Sequence, residues 1–265
     1  SSAASDVYKR QAKQWAFTGT MQATLSSGTT FEASAIDYQP GFGILAIDDR
    51  ALNDEPFIYI GFPEAIGVGS FPIEPEGQGK IRAFLGIQGK GPAKSGKLVI
   101  TEVQATGAIS AKFTFKGEDE NGQAFEVTEG AFTISPCVAL QNNHPVVAAS
   151  ACISPALSDN AGFVADNFNV RASNAGRRSI LVTQQKDLKG GLSSLGTYLN
   201  IDSQGHGYAF AAVNQGLIAT RDMIITDFRS EENARLSFDF SYSFTHNGTD
   251  YKVSDGHLEI DWRPK

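Results

Sequence analysis

Five stretches of this chain recur in the same order about 125–127 residues further on, and that repetition constrains the fold more than any single motif. Ile109-Ser-Ala-Lys-Phe113-Thr-Phe115 parallels Leu236-Ser-Phe-Asp-Phe240-Ser-Tyr242. Both alternate apolar and polar side chains with period two, the pattern of a strand with one buried face. Each runs into Asn-Gly, at Asn121-Gly122 and Asn247-Gly248, a pair that tolerates the positive φ angles of a type I′ hairpin turn. Alternating strands follow at Phe125-Glu-Val127-Thr and Tyr251-Lys-Val253-Ser, then a second expected turn at Glu129-Gly130 and Asp255-Gly256. A last strand, Phe132-Thr-Ile134 or Leu258-Glu-Ile260, closes each copy. Upstream, Leu98-Val-Ile100-Thr101 matches Met223-Ile-Ile225-Thr226, and Val68-Gly69-Ser-Phe71-Pro-Ile73 matches Leu195-Gly196-Thr-Tyr198-Leu-Asn-Ile201.

The expectation is an all-β protein of two tandem antiparallel β-sandwich domains related by internal duplication, with about seven strands each. A barrel is the alternative. The domains are read at 12–135 and 162–265, with 136–161 as a connector and 1–11 as a tail. Phe113, Phe115, Phe125, Val127 and Phe132 are the expected core of the first domain. Phe238, Phe240, Tyr242, Tyr251, Val253 and Leu258 are that of the second. Composition agrees, since 18 Phe and 27 Gly favour strands and tight turns. Helix is expected only as a short turn over 7–15.

The order Gly-Ser/Thr-aromatic, apolar-Ile-Thr-acidic, Phe-rich strand, Asn-Gly turn and Val-Thr-x-Gly-x-Phe resembles an uncharacterised lipoprotein-type β-domain family of Bacteroidetes (DUF6252-like). The first copy fits best, at 109–134; the second departs with His257-Leu258 in place of a small residue and Phe. The resemblance covers about half of each copy. It implies an envelope or extracellular setting and carries no catalytic residues with it. Residues 5–11 resemble translated sequencing-adapter sequence, the other reading being an ordinary polar tail.

The net charge of −7 disfavours nucleic acid and anionic lipid as partners. No apolar run approaches the ~18 residues of a membrane-spanning helix. The connector is rich in Pro and small residues, which argues against a helix or a central strand there. It holds both cysteines of the chain, Cys137 and Cys152, and a disulfide between them is expected. Closing that loop is worth roughly 3 kcal/mol in the chain-entropy picture.

No motif identifies a reaction. Gly91-Pro-Ala-Lys-Ser-Gly96-Lys97 nearly spells a phosphate-binding loop, but Leu98 replaces the required Ser or Thr and opens an apolar β-run. A flexible basic loop is expected instead. Gly191-Leu-Ser193-Ser-Leu-Gly196 is one residue too long for a nucleophile elbow and reads as a strand lead-in. The histidines His144, His206, His246 and His257 lack metal-ligand spacing, and His257 alternates outward from the core. Asp48, Asp49, Asp54 and Glu55 are a weak calcium candidate on an inter-strand loop. Trp15 and Tyr38 are candidate ligand-stacking aromatics, with Phe42 and Trp262 behind them. No cofactor is implied.

The expected function is that of a non-catalytic extracellular or cell-surface structural or adhesive protein that assembles with itself. A carbohydrate- or peptide-binding surface lipoprotein is the first alternative, with surface glycans as partners. A hydrolase with a loop-built site is the last.

Overall fold

The structure is a computed structural model describing residues 13–14, 17–48, 50, 56–75, 81–86, 91–119, 121–136, 146–172, 176–231 and 234–263. It is all-β. The strands begin with β1 (Lys13–Gln14), β2 (Phe17–Leu25), β3 (Thr30–Glu32), β4 (Ala35–Gln39), β5 (Gly43–Ile47), β6 (Phe57–Gly61) and β7 (Gly69–Ile73). They continue with β8 (Arg82–Gly86), β9 (Ala93–Val103), β10 (Ile109–Glu118), β11 (Ala124–Pro136), β12 (Val146–Leu157), β13 (Asn160–Val164) and β14 (Asn167–Ala172). The last are β15 (Arg178–Gln184), β16 (Leu195–Ile201), β17 (Gly207–Val213), β18 (Gly216–Glu231), β19 (Arg235–His246) and β20 (Thr249–Asp261). No helix long and apolar enough to cross a membrane occurs among the described residues.

The chain divides into two compact units. The first spans 16–138, with which 215–217 also group; the second holds 1–15, 139–214 and 218–265. In the first, a six-stranded sheet, β3-β2-β11-β10-β9-β7, faces a four-stranded sheet, β4-β5-β6-β8. Their shared core draws Phe113, Phe115, Phe125, Val127 and Phe132 from one layer and Ile44, Ile58, Ile60 and Leu85 from the other. In the second, ten strands form one continuous sheet, β1-β14-β15-β16-β17-β18-β19-β20-β12-β13. It doubles over, so that Ile180, Val182 and Leu199 share a core with Phe238, Phe240, Tyr242, Val253 and Leu258. Tyr251 packs against that core while partly exposed.

The two units share a strand order. The run β3-β2-β11-β10-β9 matches β13-β12-β20-β19-β18, and β4-β5-β6-β8 matches β14-β15-β16-β17. The agreement reaches single residues. Phe113 pairs with Gly130 and Phe115 with Val127, so Thr114 alone faces Thr128 and Glu129. Phe240 pairs with Gly256 and Tyr242 with Val253, so Ser241 alone faces Ser254 and Asp255. Glu129 (φ 51°) and Asp255 (φ 50°) take the left-handed conformation that such a bulge requires. A Cβ on Gly130 would lie 2.4 Å from the Phe113 ring, and one on Gly256 would lie 2.6 Å from the Phe240 ring. Glycine is therefore set by the aromatic ring crossing it.

Several expectations are corrected here. Glu129-Gly130 and Asp255-Gly256 are bulges inside single long strands, because one left-handed residue re-aims a strand without ending its ladder. The two Asn-Gly turns also differ. Asn247 (φ 49°) and Gly248 (φ 75°) make the two-residue left-handed turn, whereas at the first only Gly122 (φ 76°) is left-handed. There Asp119 Oδ1 accepts the backbone N–H groups of Asn121 (3.0 Å) and Gln123 (2.8 Å) and shapes a longer loop. The segment Val68–Ile73 is not the counterpart of Leu195–Ile201. β7 lies outside β9, while β16 sits between β15 and β17, where β6 sits in the first unit.

Half of the expected connector is core strand. β12 pairs with β20 and β13, and Val147, Ala149, Ala151 and Ile153 point inward. Its small residues follow period two, and Pro155 falls between Cys152 and Leu157, where the ladder to β13 shifts and no regular bond is lost. Among the described residues each unit has ten strands where about seven were expected, β3 and β13 among those not foreseen. Within 7–15, the described Lys13–Gln14 is a strand parallel to Asn167–Phe168.

Candidate functional site

The shared bulge gives each unit one comparable outward surface. In the first, a groove of about 490 Å³ opens on the solvent face of the six-stranded sheet. Phe113 and Gly130 lie at its base, and Gln22, Lys97, Val99, Lys112, Thr114, Glu129 and Ala131 form its sides. Strand alternation puts them there. Phe113 and Phe115 point inward, so Lys112 and Thr114 point outward, next to Val99 and Lys97 across the ladder. Thr24 Oγ1 donates to Glu129 Oε2 at 3.0 Å and fixes that carboxylate at the rim. Neighbouring lysines are neutralised, Lys94 by Glu118 and Lys116 by Glu126. Among the described residues no carboxylate pairs with Lys97 or Lys112. Two ammonium groups beside the apolar Val99 and Ala131 suit an anionic ligand with an apolar face.

In the second unit, the pairing puts Ser150, Thr226, Asp239 and His257 at the corresponding places. Asp239 Oδ1 lies 2.7 Å from His257 Nδ1. The carboxylate thus orients the imidazole with Nε2 turned away from it. Ser150 stands opposite His257 on the other side, giving the order Asp–His–Ser across three strands. Among the described residues no hydrogen bond joins Ser150 Oγ to the imidazole, so the nucleophile–base link of a triad is not made. Sequence reading placed His257 outward, as found, but missed Asp239. Counting back from the Asn247-Gly248 turn without the bulge sets His257 opposite the wrong residue.

The residues singled out in the sequence have structural roles. Tyr38 is 4% exposed, edge-on to Phe17 and stacked on Phe62. Burial, with Glu64 nearby, pushes its phenol up to about 12, and no face is left for a ligand. That corrects its reading as a stacking aromatic. Phe42 is buried too, and its carbonyl accepts the Tyr59 hydroxyl at 2.9 Å. Trp15 lies outside the described residues. Trp262 is covered by the Arg178 guanidinium, 5.3 Å from the ring centre.

Asp48 is buried, and both its oxygens are used. Oδ1 accepts Arg50 Nε at 2.7 Å, while Oδ2 accepts an Arg50 terminal nitrogen at 2.5 Å and the Glu32 N–H at 3.2 Å. Burial opposes its charge, but the Arg50 bonds and the two backbone donors prevail and hold its pKa below the usual carboxylate range. A calcium ion there would have to displace a bidentate guanidinium. Asp49, Asp54 and Glu55 lie outside the described residues. The near-phosphate-loop is no loop from Ala93 onward, because Ala93–Val103 is strand β9, with Gly96 lying over Phe115. Ser193 is tied to Asn214, its N–H donating to Asn214 Oδ1 at 2.8 Å, and Leu195 then opens β16. Cys152 is a free, exposed thiol, and Cys137 lies outside the described residues.

These features define an all-β protein of two units that share a strand order and differ on their outer faces. Comparison of the chain with protein-family models, with curated proteins and with solved structures finds no match in any of the three.

Proposed function

We propose that this chain is a non-catalytic structural or adhesive protein of an extracellular or cell-surface setting, built from two duplicated copies of one β-domain and assembling with itself. The observation that carries this reading is the strand order held in common, down to the bulge in the last hairpin. Repeating a module enlarges a protein's surface without requiring a reaction centre. In support, the polar groups that the sequence marks as reactive serve the fold: Asp48 holds Arg50, and Ser193 is tied to Asn214. The lipoprotein-like resemblance supports the envelope setting. Screening with ester, amide, glycoside and phosphoester substrates, with and without EDTA, is expected to show no turnover. Turnover lost in His257→Ala would replace this reading with a hydrolase using the Asp239–His257–Ser150 row. Size-exclusion chromatography and negative-stain microscopy are expected to show association.

A second reading, a carbohydrate- or peptide-binding surface lipoprotein, draws on the groove at Lys97 and Lys112. On a glycan array it requires binding to acidic sugars that Lys97→Ala and Lys112→Ala abolish.

A further inference from the structure

The chain carries an Asn-Gly pair in the last hairpin of each unit, and the fold holds the two backbones differently. At the first, the Gly122 N–H donates to the Asp119 carbonyl at 2.9 Å, and the Asp119 N–H donates to the Gln123 carbonyl at 2.9 Å. Asp119 Oδ1 adds its bonds to the Asn121 and Gln123 N–H groups. Four bonds therefore close that loop, and the glycine nitrogen is engaged in one of them. At the second, His246 opposite Thr249 is the last paired rung, and Asn247 and Gly248 lie beyond it. Among the described residues no acceptor takes the Gly248 N–H. Both turn residues are exposed, and a Cβ on Gly248 would meet no atom within 4 Å. The Asn247 amide has the His246 ring as its hydrogen-bond partner, with Nδ2 3.2 Å from Nε2.

The backbone nitrogen of a glycine can close a small imide ring on the side-chain amide carbon of the asparagine before it, because no Cβ obstructs the approach. Closure requires that nitrogen to be free of an acceptor and the turn to have room to rotate into the attacking geometry. We propose that Asn247 is a self-modification site that deamidates through a succinimide with Gly248, while the Asp119 loop protects Asn121 in the folded chain.

The Gly248 nitrogen attacks Asn247 Cγ and gives its proton to solvent. The amide nitrogen takes up a proton and leaves as ammonia. Water then opens the ring: at the side-chain carbonyl it yields aspartate, and at the main-chain carbonyl it yields isoaspartate. The balance is one water consumed and one ammonia released, with no oxidant or cofactor. The effect falls on the hairpin. Asn247 (φ 49°) and Gly248 (φ 75°) form a two-residue turn that fits one backbone length. Isoaspartate adds a methylene to that path, so the His246–Thr249 and Thr245–Asp250 rungs lose their register. Either product adds a carboxylate at the tip.

Peptide mapping by mass spectrometry, on the full chain held warm at mildly alkaline pH, reads both sites in one sample. Aspartate and isoaspartate are expected to accumulate at residue 247 roughly tenfold faster than at residue 121, the factor that freeing one hydrogen bond supplies. In urea, where neither loop is held, the two sites are expected to convert at similar rates. Asp119→Ala, which strips the side-chain bonds from the first loop, is expected to raise conversion at Asn121 several-fold and leave Asn247 unchanged. Equal rates in the folded chain, or faster conversion at Asn121, overturn the proposal. So does an Asn247 that stays intact in the folded chain while converting in urea. A preference for residue 247 that persists in urea also overturns it, because local sequence and not the fold would then select the site. No rise at Asn121 in Asp119→Ala overturns the protection assigned to that loop.

Discussion

At the shared bulge, the inner faces of the two units are nearly interchangeable and the outer faces are not. Inside, Phe113 over Gly130 matches Phe240 over Gly256. Outside, the first unit presents Lys97 and Lys112 and the second presents Asp239 and His257. Close packing explains the contrast. A core position has one acceptable volume, and each added or deleted carbon is felt. An outward strand position needs only to stay solvated, so its chemistry is free to vary. The strand beside β9 marks a further difference, since β7 brings Ile73 into the first core and has no counterpart among the described residues of the second unit.

The comparison breaks most readily at the rings. Phe113→Ala and Phe240→Ala are each expected to cost about 3–5 kcal/mol, read by denaturant unfolding. If one is much milder than the other, the two bulges are not equivalent in packing. Gly130→Val and Gly256→Val come next, at about 1–3 kcal/mol, because each new Cβ meets the ring already there. A neutral outcome at either position would show that its ring can step aside.

Charge sharpens the comparison where β5 and β15 end. In the first unit Asp48 holds Arg50; in the second Asp166 accepts the backbone N–H groups of Gln185 and Lys186, each at 3.0 Å. Arg50→Met is expected to cost about 1–2 kcal/mol, since it strips hydrogen bonds from a buried carboxylate. The sign of the pH effect follows from the lowered folded-state pKa of Asp48. Its contribution is complete above the unfolded value of about 3.9 and is lost as pH falls through the lower folded value. Asp48→Asn should therefore flatten the acid limb of the melting curve. An unchanged limb would count against the Asp48–Arg50 pair.

The smallest expected difference lies at the turns. Asn247→Ala should cost about 1 kcal/mol, because residue 247 is left-handed and alanine resists that conformation. Asn121→Ala should stay within about 0.5 kcal/mol. Equal losses in the two variants would mean that both hairpins need asparagine for the same reason.

Much of the fold was legible in the chain. Period-two alternation named the core of both units, and Phe113 and Phe240 are buried where that pattern puts them. Asn-Gly marked two hairpins correctly. The turns expected at Glu129-Gly130 and Asp255-Gly256 are left-handed residues inside single strands, because a local signal does not say whether such a residue reverses a strand or kinks it. β12 was missed because its Ala and Ser residues are weak strand formers that packing against β20 makes into one. Less of the candidate site could be read. Lys97 and Lys112 are 15 positions apart, and Asp239 and His257 are 18 apart. Both pairings depend on a bulge that shifts the register by one.

The sequence by itself determined which side chains turn inward, where the chain doubles back at Asn-Gly, and that the same β-pattern occurs twice. These follow from period and local conformational preference, which act over a few residues. Only the tertiary structure decided which strands lie side by side, that β9 has β7 as its outer neighbour while β18 has β17, and which polar groups meet outside. Strand pairing is a contest among distant partners, settled by the packing of the whole sheet.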